Sequence, residues 1–271
     1  MKIIDAHVHT NFGYEQFLAY AKSNNMQFSW NSLQNEMNQN NVAGALIITT
    51  DHEQPTPGES KLLLKQRSRD KRLFPVCSIH PDRTSEKDLA LLAKLFQERK
   101  IYGLKIFPGY HPVYPSDKRY HPFYELAGKY KIPVIIHTGD TCGSEYFVKF
   151  SHPLDVDEIA VKFGEATFVL AHLGNPWVRD AAELVYKNEN VYADLSSFCI
   201  GHPNTADMKR IVEDIQFALN YTDRPDKFLY GSDWPLSQMA DYIEVIKKAV
   251  HVKHHKAIFF GNANRVFKLG L

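Results

Sequence analysis

Residues 2–10 read KIIDAHVHT. Side chains alternate along a strand, so His7 and His9, two positions apart, share one side of it. Two imidazoles on one face can hold a metal ion or can fill a polar corner. The stretch alone allows both. The choice depends on whether other strands end in similar residues, and on whether the fold brings those ends together.

Seven more apolar runs follow the one at 3–6: VAGALIIT (42–49), RLFPVCSI (72–79), IYGLKIF (101–107), IPVIIH (132–137), ATFVLAH (166–172), VYADL (191–195) and KFLYGSD (227–233). They are short, rich in β-branched and aromatic residues, and lack strict alternation. Strands buried on both faces of a parallel sheet read this way. Helix-like segments lie between them at 85–100, 121–130, 152–163, 175–187, 205–220 and 237–250, with weaker ones at 30–40 and 58–69. The segments at 121, 152 and 175 carry Pro near their start, as helix N-termini do. No repeat, low-complexity tract or linker divides the chain, so residues 1–271 are expected to form one domain. Strands alternating with helices predict a (β/α)8 TIM barrel. A doubly wound open sheet is the alternative, disfavoured because no GxGxxG follows any strand.

A barrel places its functional residues at the C-terminal ends of its strands. His7 and His9 end the first run, Lys105 stands late in the fourth, His137 ends the fifth, His172 the sixth and Asp233 the eighth. In a closed barrel these six residues meet at one mouth. Imidazoles with a carboxylate suit Zn²⁺ or a similar divalent ion. Such an ion can bring a water's pKa to about 7, and a remaining His or Asp can move the proton.

The bulk numbers narrow the partners. The 271 residues are 44% hydrophobic and 23% charged, with a formal net charge of +1. There is no long basic run, which argues against nucleic acid or an anionic membrane surface. No apolar stretch is long enough to span a bilayer. Asp5 and His7 break the first apolar stretch at once, unlike a signal peptide. Three cysteines, Cys77, Cys142 and Cys199, are odd in number and far apart, as in a cytoplasmic protein with reduced thiols. A small-molecule substrate is the expected partner, and a homodimer is left open.

The elements DAHVH, GLKIFP, PVIIHTG, LAHLG and YGSDWP, with the closing FFGNANRVFKL, resemble the amidohydrolase superfamily over nearly the whole chain. Residues 103–139 look most like the branch containing aminocarboxymuconate-semialdehyde decarboxylase. The resemblance implies a barrel with His7, His9, His137 and Asp233 as metal ligands, to Zn²⁺ or alternatively Mn²⁺. It implies that His172 is the general acid/base, or a ligand of a second ion. Lys105 would be unmodified beside one ion, or a carbamate bridging two. A free ammonium there favours an anionic substrate. The resulting expectation is a metal-dependent hydrolase acting on a small carbonyl compound. The alternatives are a non-oxidative carboxy-lyase on the same residues and a metal-containing binding protein without turnover.

Other histidines have humbler readings. His80 follows the third run and lies at the mouth, as second support or turn. Tyr110 and His111 line a pocket or stiffen an aromatic, proline-rich loop. Turn chemistry accounts for His52, His121, His152 and His202. His251, His254 and His255 are expected in solvent, and Cys142 and Cys199 on loops.

Overall fold

The computed structural model describes residues 1–48 and 60–271. Eight strands pair in sequence order, all parallel: β1 (Ile3–His9), β2 (Val42–Ile48), β3 (Leu73–Ser78), β4 (Gly103–Ile106), β5 (Val134–Ile136), β6 (Phe168–Leu170), β7 (Val191–Asp194) and β8 (Phe228–Leu229). A bridge between Val8 and Trp234 closes the ring, with the Ala6 amide donating to Tyr230 O at 2.9 Å and the His9 amide to Trp234 O at 2.8 Å. This is the expected (β/α)8 barrel.

The strands read as unbroken apolar runs because both faces are buried. Leu104, Ile106, Val134, Ile136, Phe168 and Leu170 pack outward, in the same core as helix residues such as Leu33, Leu92 and Ile215. Ile4, Leu46, Phe74, Val76, Ile135, Val169 and Leu229 fill the inside. The C-terminal segment floors that interior with Ala263, Val266, Phe267 and Leu269. Gly44 makes room for it: a Cβ there would lie 2.9 Å from Leu271 Cδ1.

The outer layer contains α1 (Glu15–Ser23), α2 (Trp30–Gln39), α3 (Ser60–Arg69), α4 (Glu86–Gln97), α5 (His121–Tyr130), α6 (Asp157–Lys162), α7 (Val178–Lys187), α8 (Thr205–Thr222), α9 (Met239–Ala249) and α10 (Val252–Lys256), while α11 (Asn262–Val266) belongs to the floor. Local chemistry sets several starts. Asn204 accepts from the Ala206 and Asp207 amides at the head of α8, and Asp88 accepts the Ser85 amide before α4. Two expectations need correction, and one helix was not foreseen. The segment at 152–163 splits into a 3-10 turn, Pro153–Val156, and α6. Pro176 precedes α7 through a cis bond to Asn175, so it is not a helix-start proline. Helix α1 has no side-chain cap and only Phe17 and Ala21 buried, too weak a stripe to read. Thr49, His52 and Gly58 lie outside the described residues. Among the described residues no helix is long and apolar enough to cross a membrane.

Candidate metal centre

A break in β1 aims its histidines. The register against β2 shifts between Asp5 and Val8. Ile4 and Ala6 belong to the inner core, but Val8 belongs to the outer one. Undisturbed alternation from Ala6 would have turned His7 and His9 outward; the irregularity reverses the parity and turns both into the mouth. The His7 amide, outside the ladder there, donates to Asp5 Oδ1 at 3.1 Å.

The mouth brings three ligand atoms together. His7 Nε2 lies 3.5 Å from Asp233 Oδ1, and His9 Nε2 lies 3.0 Å from the same oxygen. His7 Nδ1 donates to Asp194 Oδ2 at 2.9 Å, so its Nε2 is a bare lone pair. Asp233 Oδ1 is buried without a hydrogen-bond donor. Two imidazole nitrogens and a carboxylate oxygen converging on one point fit a cation. Atoms ~2.0–2.1 Å from a tetrahedral ion stand roughly 3.3 Å apart, close to the spacing seen here. The donor set therefore fits a divalent metal.

His137 stands just beyond β5. Its Nε2 lies 2.9 Å from Asp140 O and donates to it, which leaves Nδ1 free of a proton. It lines the same small cavity as His7, His9 and Asp233 but is outside their tight group. Burial, with His172 and Lys105 nearby, holds His137 well below the usual imidazole range. Burial likewise holds His9 down to about 4, against the pull of the Asp233 carboxylate. These rings are neutral and ready to ligate.

His172 lies two residues past β6 in left-handed backbone, φ 60°, and Asp233 past β8 has φ 61°. Asp194, at the end of β7, organises both His7 and His172. Its Oδ1 accepts from the His172 amide at 3.0 Å and from the Ser196 hydroxyl at 2.5 Å. Ser196 Oγ lies 2.9 Å from His172 Nδ1. The serine proton is committed to the carboxylate, so His172 Nδ1–H must donate to Ser196. That leaves Nε2 of His172 as a lone pair. Burial holds His172 down to about 3.

Lys105 points inward from β4, because its neighbours Leu104 and Ile106 pack outward. It is buried, and its Nζ has no hydrogen-bond partner. Burial lowers its pKa to about 8, opposed by the Asp194 and Asp233 carboxylates.

The small cavity, about 40 Å³, is also lined by Gln16 and Phe17 of α1. Beside it lies one of about 310 Å³, lined by Tyr110, His137, Cys142, His172, Phe198 and Asp233 among others. His80 and His111 are not at the metal cluster. Their ring centroids lie 4.2 Å apart, tilted by 54°, in a neighbouring cavity of about 420 Å³, and Tyr110 lines all three. Of the remaining histidines, His121 Nε2 donates to Ser116 O at 3.0 Å; His202 pairs with Asp241; His152 and His251 cap short helices; and His255 Nε2 donates to Val250 O at 2.9 Å. Sequence reading missed Asp5, Asp194 and Ser196. For Asp194 a signal existed, since it is a carboxylate late in the apolar run VYADL, as His172 and Asp233 come late in theirs.

The amidohydrolase family profile matches residues 4–269. A search of curated proteins finds no match. Solved structures similar to this chain include 2,6-dihydroxybenzoate decarboxylase from Rhizobium, 14% identical over 100% of both chains, TM-score 0.73. A second is an amidohydrolase from Burkholderia multivorans with bound zinc, 15% identical over 99% of both, TM-score 0.71. A third is a probable 2-pyrone-4,6-dicarboxylic acid hydrolase from Acinetobacter baumannii with citric acid bound, 17% identical over 99% of this chain and 100% of that one, TM-score 0.68. At these identities the likeness establishes the barrel, and the profile match establishes the kinship: the chain belongs to the amidohydrolase family.

Proposed function

We propose that the chain is a metal-dependent hydrolase of a small, anionic carbonyl compound. In this reading His7, His9, His137 and Asp233 hold one divalent ion, Zn²⁺ or alternatively Mn²⁺. The zinc in the Burkholderia relative agrees with the first choice. When bound, the ion polarises a carbonyl and makes a water more acidic.

The observation that carries the reading is the tautomer of His172. Ser196 Oγ accepts the hydrogen bond from its Nδ1–H, so Nε2 starts as a base. A base beside the ion can take a proton from an attacking water and return it to the leaving atom. Protonation of a carbanion after loss of carbon dioxide needs an acid first. Asp194 keeps the His172 ring in place through Ser196 and the His172 amide. Lys105 Nζ, buried over the Phe107 ring without a hydrogen-bond partner, receives a substrate carboxylate. A binding protein without turnover has no need of a base held in this way.

The carboxy-lyase reading keeps one supporting feature. Lys105 is a second proton source in the same mouth, and decarboxylases are among the similar folds. A panel of esters, lactones, amides and aromatic acids in ¹⁸O-water tests both. Hydrolysis incorporates ¹⁸O into the product acid. Release of carbon dioxide without incorporation would replace the hydrolase with the lyase. The small molecule is the only partner proposed, in the cytoplasm.

A further inference from the structure

One buried carboxyl group lies under both halves of the proposed metal site. Asp5 is fully buried. Its Oδ1 accepts the His7 amide at 3.1 Å and the Ser232 amide at 3.0 Å, and its Oδ2 accepts the Ser232 hydroxyl at 2.6 Å. Ser232 Oγ in turn accepts the Trp234 amide at 3.1 Å.

The placement of these bonds is informative. The His7 amide sits in the break of β1, where no ladder bond serves it. The Ser232 amide lies beyond the end of β8. Buried N–H groups need partners, and one side chain supplies both. Both belong to residues at or beside a proposed ligand. Ser232 and Trp234 bracket Asp233, whose left-handed φ of 61° is a conformation that needs support in a residue other than glycine. Asp233 N also donates to His7 O at 2.9 Å, so the two ligand-bearing segments are stitched together directly above Asp5.

We infer that Asp5 is a positioning residue for the metal: through the His7 amide and through Ser232 it sets the distance between the His7 imidazole and the Asp233 carboxylate. This rests on the reading of His7 and Asp233 as ligands. Asp5 touches no substrate and acts only through the backbone on either side of the ring closure. The 3.5 Å gap between His7 Nε2 and Asp233 Oδ1 is the dimension it controls.

Cobalt(II) is the probe, because its visible absorption reports coordination geometry and its uptake needs no substrate. Asp5→Ala leaves two buried amides unpaired and is the variant at risk of not folding. The test therefore uses Asp5→Asn, which keeps an acceptor for the amides, and Ser232→Ala, which removes the Oδ2 link. Each variant is first checked for cooperative thermal unfolding. Both should bind Co²⁺ roughly 10-fold or more weakly, within the 10–100-fold range of residues that orient ligands, and with altered visible bands. Folded variants of lowered melting temperature that bind Co²⁺ with unchanged affinity and spectrum would overturn the positioning role alone. A wild-type chain that takes up no Co²⁺ would overturn the metal reading, and this proposal with it.

Discussion

Asp194 Oδ2 lies 2.9 Å from His7 Nδ1, at the opposite edge of the ring from the Asp233 carboxylate. One carboxylate thus decides which nitrogen of His7 is bare. An asparagine can present N–H instead and drive the proton to Nε2, where it blocks ligation. Asp194→Asn should weaken metal binding about 10–100-fold, measured by elemental analysis after dialysis against graded chelator. His7→Ala and Asp233→Ala should lose most of the metal outright. Full metal in all three would remove the centre from this position.

His172→Asn should leave metal content near normal and cut turnover roughly 10²-fold or more, the scale of a lost general base. Ser196→Ala should fall between the variant and the wild type, because it frees the ring without removing it. Loss of metal in His172→Asn would make this histidine a ligand.

Lys105→Met should raise the KM of an anionic substrate and the Ki of short dicarboxylates by at least about 10-fold, as expected when a charged hydrogen bond worth roughly 1.5–3 kcal/mol is removed. Metal content should stay near one ion per chain. A count of two ions falling to one in this variant would instead mark Lys105 as a carbamate bridge.

Acid should destabilise the metal-free chain early. Burial holds His9 near 4 and His172 near 3, below their unfolded value of 6.5. Below 6.5 the unfolded chain takes up protons that the folded one refuses, so stability falls as pH drops from about 6.5 toward 4. The urea midpoint of chelator-treated protein should be lower at pH 5 than at pH 7.5. Equal midpoints would mean that these rings are charged, or open to solvent, in the fold.

The barrel was readable because its eight strands are apolar on both faces, and because His7, Lys105, His137, His172 and Asp233 each come late in or just after a run. Their true setting was less readable. β6 ends at Leu170 and β8 at Leu229, so His172 and Asp233 belong to left-handed turns rather than to strands. No pattern of alternation reveals the break at Asp5–Val8, since both parities there are occupied by buried residues. Asp194 and Ser196 were hidden by Leu195, which made VYADL look like a plain strand. His80, read at the mouth, and His111, read as lining a pocket or stiffening a loop, both line a neighbouring cavity apart from the metal cluster.

The ring closure between β1 and β8 has a consequence for biogenesis. Asp5 and Ser232 meet although 227 residues separate them. A nascent chain interrupted before Asp233 holds the three imidazoles of the proposed site, His7, His9 and His137, without the carboxylate that completes it. On the proposed ligand set, tight capture of an ion would wait until the last strand joins the first. An ion that binds only the joined form also adds to its stability by mass action. Ion uptake during synthesis would then serve as a clock for completion: the moment the polypeptide becomes reactive is the moment its two halves lock.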